Sequence, residues 1–123
     1  MFKRSAILFI SICLVAIGCA GPYSEQDNGS IIELSEDDVF TINLKEQGLP
    51  QYAWHINSIN NHVELKGPII MGPSGTTTEF TFNFKTLGTG EDKLTLFYTN
   101  GKDTRNSFEL TVIVGTMGRI ESY

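Results

Sequence analysis

TTEFTFNFKT, residues 77–86, is the clearest strand-like segment of the chain. Its phenylalanines, Phe80, Phe82 and Phe84, alternate with polar residues. Successive side chains of an extended chain point to opposite faces, so a period of two predicts a strand with one buried face. That aromatic face needs a second layer to cover it, which predicts a layered all-β domain.

Six further segments have strand-like alternation or composition, and turn-forming residues separate them. These predicted strands are 31–34, 38–44, 52–56, 62–65, 92–99 and 106–114. LGTGED at 87–92 and NGKD at 100–103 are typical of tight connections. No segment after residue 18 sustains an apolar stripe of helical period. About seven short strands predict an immunoglobulin-like antiparallel β-sandwich.

The alternating positions also predict the side chains that fill the space between the two sheets. They are Phe40, Ile42, Leu44, Trp54, Ile56, Phe80, Phe82, Phe84, Leu94, Leu96, Tyr98, Phe108, Leu110 and Val112. Burying such a side chain is worth roughly 1.5–3 kcal/mol. A core of this size can stabilise the domain without a disulfide. Tyr52 is also expected to pack on the sandwich, and His55, opposite Trp54 on its strand, is expected near solvent.

The first eighteen residues have the features of a secretory signal. Lys3 and Arg4 precede an apolar run that is too short for a convincing membrane span. The following AIGC resembles the lipobox of prokaryotic lipoproteins, in which Cys19 becomes the first mature residue and carries lipid. We therefore expect an exported cell-envelope lipoprotein, with its domain in the periplasm or at the cell surface. A plain N-terminal membrane anchor is the alternative.

Cleavage before Cys19 would divide the chain into four parts. They are the signal peptide 1–18, the lipidated cysteine and a flexible tether 19–30, the β-sandwich 31–114 and a tail 115–123. The tether is predicted from its small, polar and turn-forming composition. The formal net charge is −5, and no basic cluster appears, which argues against nucleic-acid binding. We expect a monomer.

Enzyme and metal chemistry have little support in the sequence. His55 and His62 are the only histidines, and HExxH, paired-cysteine and EF-hand patterns are missing. The run Glu36-Asp37-Asp38 could bind calcium, but a solvated turn is the favoured interpretation. We predict no cofactor, no metal and no enzymatic activity. Binding through loops held on a rigid scaffold is the remaining expectation.

Three elements together resemble the chagasin-like inhibitors of papain-type cysteine peptidases. DDVFTINL (37–44) is similar to an opening strand of that family, and YAWHI (52–56) resembles the segment after its first binding loop. GPSGTTTEFTFNFKTLGTGEDKLTLFY (72–98) resembles its glycine-rich second loop and the strands that follow. The resemblance implies an immunoglobulin-like sandwich whose three loops, at one end, block the active-site cleft of a papain-like cysteine peptidase.

Carried over to this chain, the resemblance assigns three peptidase-binding loops. They are Gln47, Gly48, Leu49, Pro50 and Gln51; then Gly72, Pro73, Ser74, Gly75 and Thr76; then Asn100, Gly101 and Lys102, with Asp103 closing the third. Family members carry arginine-proline-tryptophan in the third loop, so this chain lacks their large aromatic there.

Several alternatives remain open at this point. Leu49 is either an exposed apolar anchor or a lid folded back on the core. Met71 could contact a partner, although filling the end of the sandwich is favoured. For the whole protein, the alternative function is an envelope-anchored β-sandwich binding or adhesion module with altered loops and no inhibitory activity.

Overall fold

The computed structural model describes residues 19–115, which form nine strands in two sheets around one core. The strands are β1 (Cys19–Tyr23), β2 (Ser30–Ser35), β3 (Val39–Lys45), β4 (Ala53–Ile56), β5 (Val63–Leu65), β6 (Ile70–Ser74), β7 (Thr77–Thr86), β8 (Gly90–Thr99) and β9 (Thr104–Gly115). One turn of 3-10 helix spans Glu25–Asp27. The predicted signal peptide and residues 116–123 lie outside the described residues. The prediction of an all-β sandwich is confirmed.

The first sheet has the order β1-β3-β7-β5, with β6 also paired to β7, and the second has the order β2-β9-β8-β4. β3 and β7 pair without interruption from Val39 opposite Lys85 to Lys45 opposite Glu79. Two pairings, β1 with β3 and β2 with β9, are parallel. The sheets are therefore mixed, and β1 and β6 are strands that the sequence did not predict.

The predicted core is correct apart from one side chain. Every predicted core residue is buried except Ile56, which is half-buried and packs against the cluster. Val63 and Val114 complete the buried apolar set. The rings of Phe40 and Phe84 stack across β3 and β7 with centroids 5.3 Å apart. Alternation thus located the interface between the sheets.

Residues 19–30 pack on the domain, so the prediction of a flexible tether is wrong for them. The ring of Tyr23 lies edge-on to a core phenylalanine of β3, with centroids 6.3 Å apart. The Glu25 carboxylate accepts the last backbone N–H of β3 at 2.6 Å, and the Asn28 side chain accepts an N–H of β9 at 2.7 Å. These contacts use polar acceptors and one aromatic ring, which leave no apolar pattern in the sequence.

The acidic run after β2 forms a turn, as favoured. The Asp38 carboxylate accepts the backbone N–H of Ser35 at 2.8 Å, and the Asp37 carboxylate lies 3.7 Å from the Lys85 ammonium. Between residues 19 and 115, no three His, Cys, Asp or Glu side chains gather closely enough to hold a metal ion. No helix in the same range is long and apolar enough to cross a bilayer.

The packing of Tyr23 predicts a pH dependence of stability. Burial, and next the nearby Asp27 carboxylate, raise the pKa of Tyr23 above its ordinary value of 10.0. As pH rises, the unfolded chain therefore loses the Tyr23 hydroxyl proton before the folded chain does. The contribution of the protonated Tyr23 to folding stability is fully present below pH 10.0 and is lost as pH rises through the pKa of the folded state. We expect the free energy of unfolding, measured with urea, to fall less for Tyr23→Phe than for wild type between pH 9 and 11 (roughly one unit either side of the ordinary pKa). Equal losses in both proteins would contradict the packing of the N-terminal segment.

Candidate functional site

The register of the two sheets brings three connections to one end of the sandwich. We call this the loop end, and it comprises residues 46–52, 75–76 and 100–103. In the first sheet, Lys45 ends β3 opposite Glu79, two residues after the start of β7 at Thr77. In the second sheet, Ala53 begins β4 opposite Thr99, the last residue of β8. The β7–β8 connection, residues 87–89, lies at the far end.

The first loop, 46–52, crosses from one sheet to the other and is bonded to both. The Gln47 backbone N–H donates to the hydroxyl of Tyr98 at 2.8 Å, and Tyr98 is fully buried in the second sheet. The indole N–H of Trp54 donates to the carbonyl of Lys45 at 3.0 Å. Each buried aromatic therefore fills the core with its ring and fixes the loop with its polar atom.

The middle of the first loop is a tight turn stiffened by proline. The Tyr52 N–H donates to the Leu49 carbonyl at 3.3 Å, Pro50 fixes its own φ, and Gln51 has φ of +68°. This arrangement is that of a type II turn, whose third position favours glycine. Leu49 is half-buried and packs against the core, so it is a lid rather than a free anchor.

The second predicted loop is shorter than the resemblance implied. Gly72, Pro73 and Ser74 belong to strand β6, and only Gly75 and Thr76 form the turn into β7. Gly75 has φ of +68° at the first turn position, as in a type II′ hairpin. The proline concealed the strand in the sequence, but an edge strand tolerates proline because its outer side has no ladder partner.

β6 and the residue before it present exposed apolar side chains. Ile69, Ile70 and Met71 are 39%, 51% and 63% exposed. The favoured interpretation of Met71 as a filler of the sandwich end is therefore wrong. The reason is its place on a strand that, among the described residues, pairs only with β7 and leaves its outer edge open.

The third loop is closed by its own hydrogen bonds. The Asn100 side-chain oxygen accepts the backbone N–H groups of Lys102 and Asp103, both at 2.8 Å. The Thr99 hydroxyl donates to the Asp103 carbonyl at 2.7 Å. Asn100, Gly101 and Lys102 are all exposed. The loop is thus a compact polar turn that presents no aromatic side chain.

Sequence reasoning missed Arg105, which follows the third loop. Two consecutive residues of β8 pair with Asn106 and Thr104, which leaves Arg105 between them as the extra residue of a β-bulge. Its guanidinium carbon lies 5.7 Å from the ring centroid of Tyr52, at the end of the first loop. No motif marked this residue, because the contact depends on a register shift that is invisible in the sequence.

Comparison with known proteins rests on structure alone. No protein-family model matches the chain, and no curated protein sequence matches it. The crystal structure of the cysteine protease inhibitor EhICP2 from Entamoeba histolytica superposes with a TM-score of 0.67 and 19% identity, covering 78% of this chain and 95% of that chain. This chain has the fold of EhICP2. At 19% identity this similarity shows the shared fold alone.

Two other solved structures are similar to this chain to a smaller extent. The solution structure of amebosin gives a TM-score of 0.55 and 26% identity, covering 76% of this chain and 99% of that chain. PbICP-C in complex with falcipain-2 gives a TM-score of 0.41 and 14% identity, over 80% and 97% of the two chains. The last similarity is too low to carry an argument. The role of the assigned loop residues in binding stays a prediction.

The hydrogen bond from the Gln47 N–H to the Tyr98 hydroxyl predicts that this hydroxyl stabilises the first loop. Tyr98→Phe keeps the buried ring but removes the acceptor, and we expect a loss of about 0.5–1.5 kcal/mol because the exposed loop can rehydrate its N–H. Hydrogen exchange at the Gln47 amide should accelerate more than exchange in β9. Tyr23→Phe, which removes a tyrosine hydroxyl away from this loop, is the control. Unchanged exchange at Gln47 would show that the hydroxyl does not hold the loop.

Proposed function

We propose that this protein inhibits papain-like cysteine peptidases by placing the loop end in the active-site cleft. The observation that carries the proposal is the convergence of three loops at one end of the sandwich. Two strand registers set this convergence. The Glu46 N–H ties the first loop to β7 of the first sheet, and the Gln47 N–H ties it to Tyr98 of the second sheet. The shared fold with a cysteine protease inhibitor supports it.

The loop end is suited to blocking a cleft because its loops are already ordered. The first loop is fixed by a proline and two buried aromatics, the second is a two-residue turn, and the third is closed by the Asn100 side chain. Ordering a loop on binding costs free energy, so loops ordered beforehand retain more of the contact energy as affinity. No residue here performs chemistry; inhibition follows from occupying the cleft.

Inhibition is tested with a soluble form that keeps β1. Residues 19–123 carrying Cys19→Ser are titrated against papain and a cathepsin L-type enzyme, and we expect inhibition at or below about 10 μM. Thr76→Glu enlarges and charges the tip of the second loop without changing a positive-φ residue. We expect it to weaken inhibition at least about tenfold, roughly 1.4 kcal/mol.

Thr89→Glu is the matched control, since Thr89 is an exposed threonine in the far-end turn. It should leave inhibition unchanged, and both variants should keep the thermal stability of the parent. No inhibition of either peptidase, or equal inhibition by the two variants, would contradict the proposed use of the loop end. Leu49→Ala is a poorer test, because Leu49 packs against the core and its truncation costs stability.

We further propose that Cys19 carries the lipid predicted from the lipobox. The parallel register sets the backbone of Cys19 beside Val39, at the start of β3, whereas the loop end follows Lys45 at the other end of that strand. Acyl chains on Cys19 would therefore join directly to β1 and direct the loop end away from the membrane. The placement of Cys19 and the loop end at opposite ends of the sandwich supports the proposed lipid anchor, since a peptidase approaching the membrane would meet the loops first.

The anchor is tested by cysteine substitution in the full-length chain. Cys19→Ser should abolish incorporation of labelled fatty acid and move the protein from the membrane fraction to the soluble fraction. Cys13→Ser, which changes a cysteine within the predicted signal, is the matched control and should behave as wild type. Retention of label in Cys19→Ser, or a mature N-terminus other than residue 19, would refute lipidation at this position.

A further inference from the structure

A column of aromatic rings runs from the core to the surface of the loop end and finishes in a cation. The rings of Trp54 and Tyr98 are 5.3 Å apart, and those of Tyr98 and Tyr52 are 5.6 Å apart. The guanidinium of Arg105 lies over Tyr52, 5.7 Å from its centroid. Trp54 and Tyr98 are buried, Tyr52 is half-buried and Arg105 is exposed. The column therefore links buried, fixed aromatic rings to the solvent-accessible guanidinium of Arg105.

Arg105 has no acidic partner among residues 19–115. The ion pairs in that range are Lys85 with Asp37 and Lys93 with Glu109. A guanidinium has five N–H donors, and no hydrogen bond or ion pair within residues 19–115 uses those of Arg105. The chain is acidic, with a net charge of −5, yet the Arg105 guanidinium over Tyr52 forms no ion pair with a carboxylate of residues 19–115.

The β-bulge explains why Arg105 lies over Tyr52. An extra residue in one strand bends that strand and redirects a side chain, and such bulges are common next to functional sites. The third loop itself presents no aromatic side chain. Tyrosine and arginine are the residue types that most often dominate protein interfaces, and they work best on a rigid support. The pair of Tyr52 and Arg105 meets both conditions at the loop end.

We propose that the Arg105 guanidinium, held on Tyr52, binds a carboxylate on the rim of the peptidase cleft. This inference rests on the proposed function and deepens it. A guanidinium matches a carboxylate with two parallel hydrogen bonds, which a lysine ammonium cannot reproduce. The contact selects peptidases with an acidic residue beside the cleft. Tyr52, at the end of the first loop, supplies the aromatic ring that the third loop lacks.

The experiment measures inhibition constants against papain and a cathepsin L-type enzyme at low and high salt. The proteins are the soluble form described above and its Arg105→Ala, Arg105→Lys and Lys66→Ala variants. Lys66 is an exposed cation at the end of β5, away from the loop end, and its variant removes the same charge. Thermal unfolding of each variant shows whether the fold is retained.

We expect Arg105→Ala to raise the inhibition constant of at least one enzyme about tenfold or more, with most of the salt dependence lost. Arg105→Lys should keep the salt dependence and recover only part of the affinity, and Lys66→Ala should match the parent. If the parent inhibits and Arg105→Ala inhibits equally well, the inference is wrong while the proposed function stands. If Arg105→Lys equals the parent, the bidentate contact is wrong. If the parent inhibits neither enzyme, the proposed function fails and the inference with it.

Discussion

The antiparallel pairing of β3 with β7 fixes both the packing of the core and the position of the loops. It sets Phe40 opposite Phe84, Ile42 opposite Phe82 and Leu44 opposite Phe80, so one register places six of the fifteen buried apolar residues of the core. A slip of one residue would turn all of these side chains to the other face. The same register decides where β3 ends relative to β7, and therefore where the first and second loops meet.

The second sheet covers the buried face of the first mainly with the long β8–β9 hairpin. β8 and β9 supply the opposing buried side chains, and β4 adds Trp54 at the edge. Tyr98 is the residue that joins core and surface, because its ring is buried while its hydroxyl accepts an N–H of the first loop. Stability and loop order are thus coupled: the contacts that hold the sandwich closed also hold its loop end in one conformation.

Much of this could be predicted because alternation is a local signal. Seven strand segments and nearly the whole core follow from a period of two. The failures share a physical cause. β1 and β6 contain proline and glycine, which give no strand-like alternation, and each is recognisable only from its partner: β1 pairs with β3 some way along the chain, and β6 pairs with β7 across a two-residue turn. Glu25 and Asn28 bind the domain through single hydrogen bonds, so the segment that looked like a tether is structured.

Local alternation and turn composition were enough to predict an all-β sandwich, nearly all of the side chains that fill it, and its turns, because each of these depends on neighbours a few residues apart. The folded chain alone shows that the three turns share one end, that Leu49 covers the core and that Met71 does not. Only the tertiary structure brought Arg105 onto Tyr52, fifty-odd residues earlier in the chain. Strand register and one bulge determine these contacts, and both are settled when distant segments pair, since no short stretch of sequence specifies them.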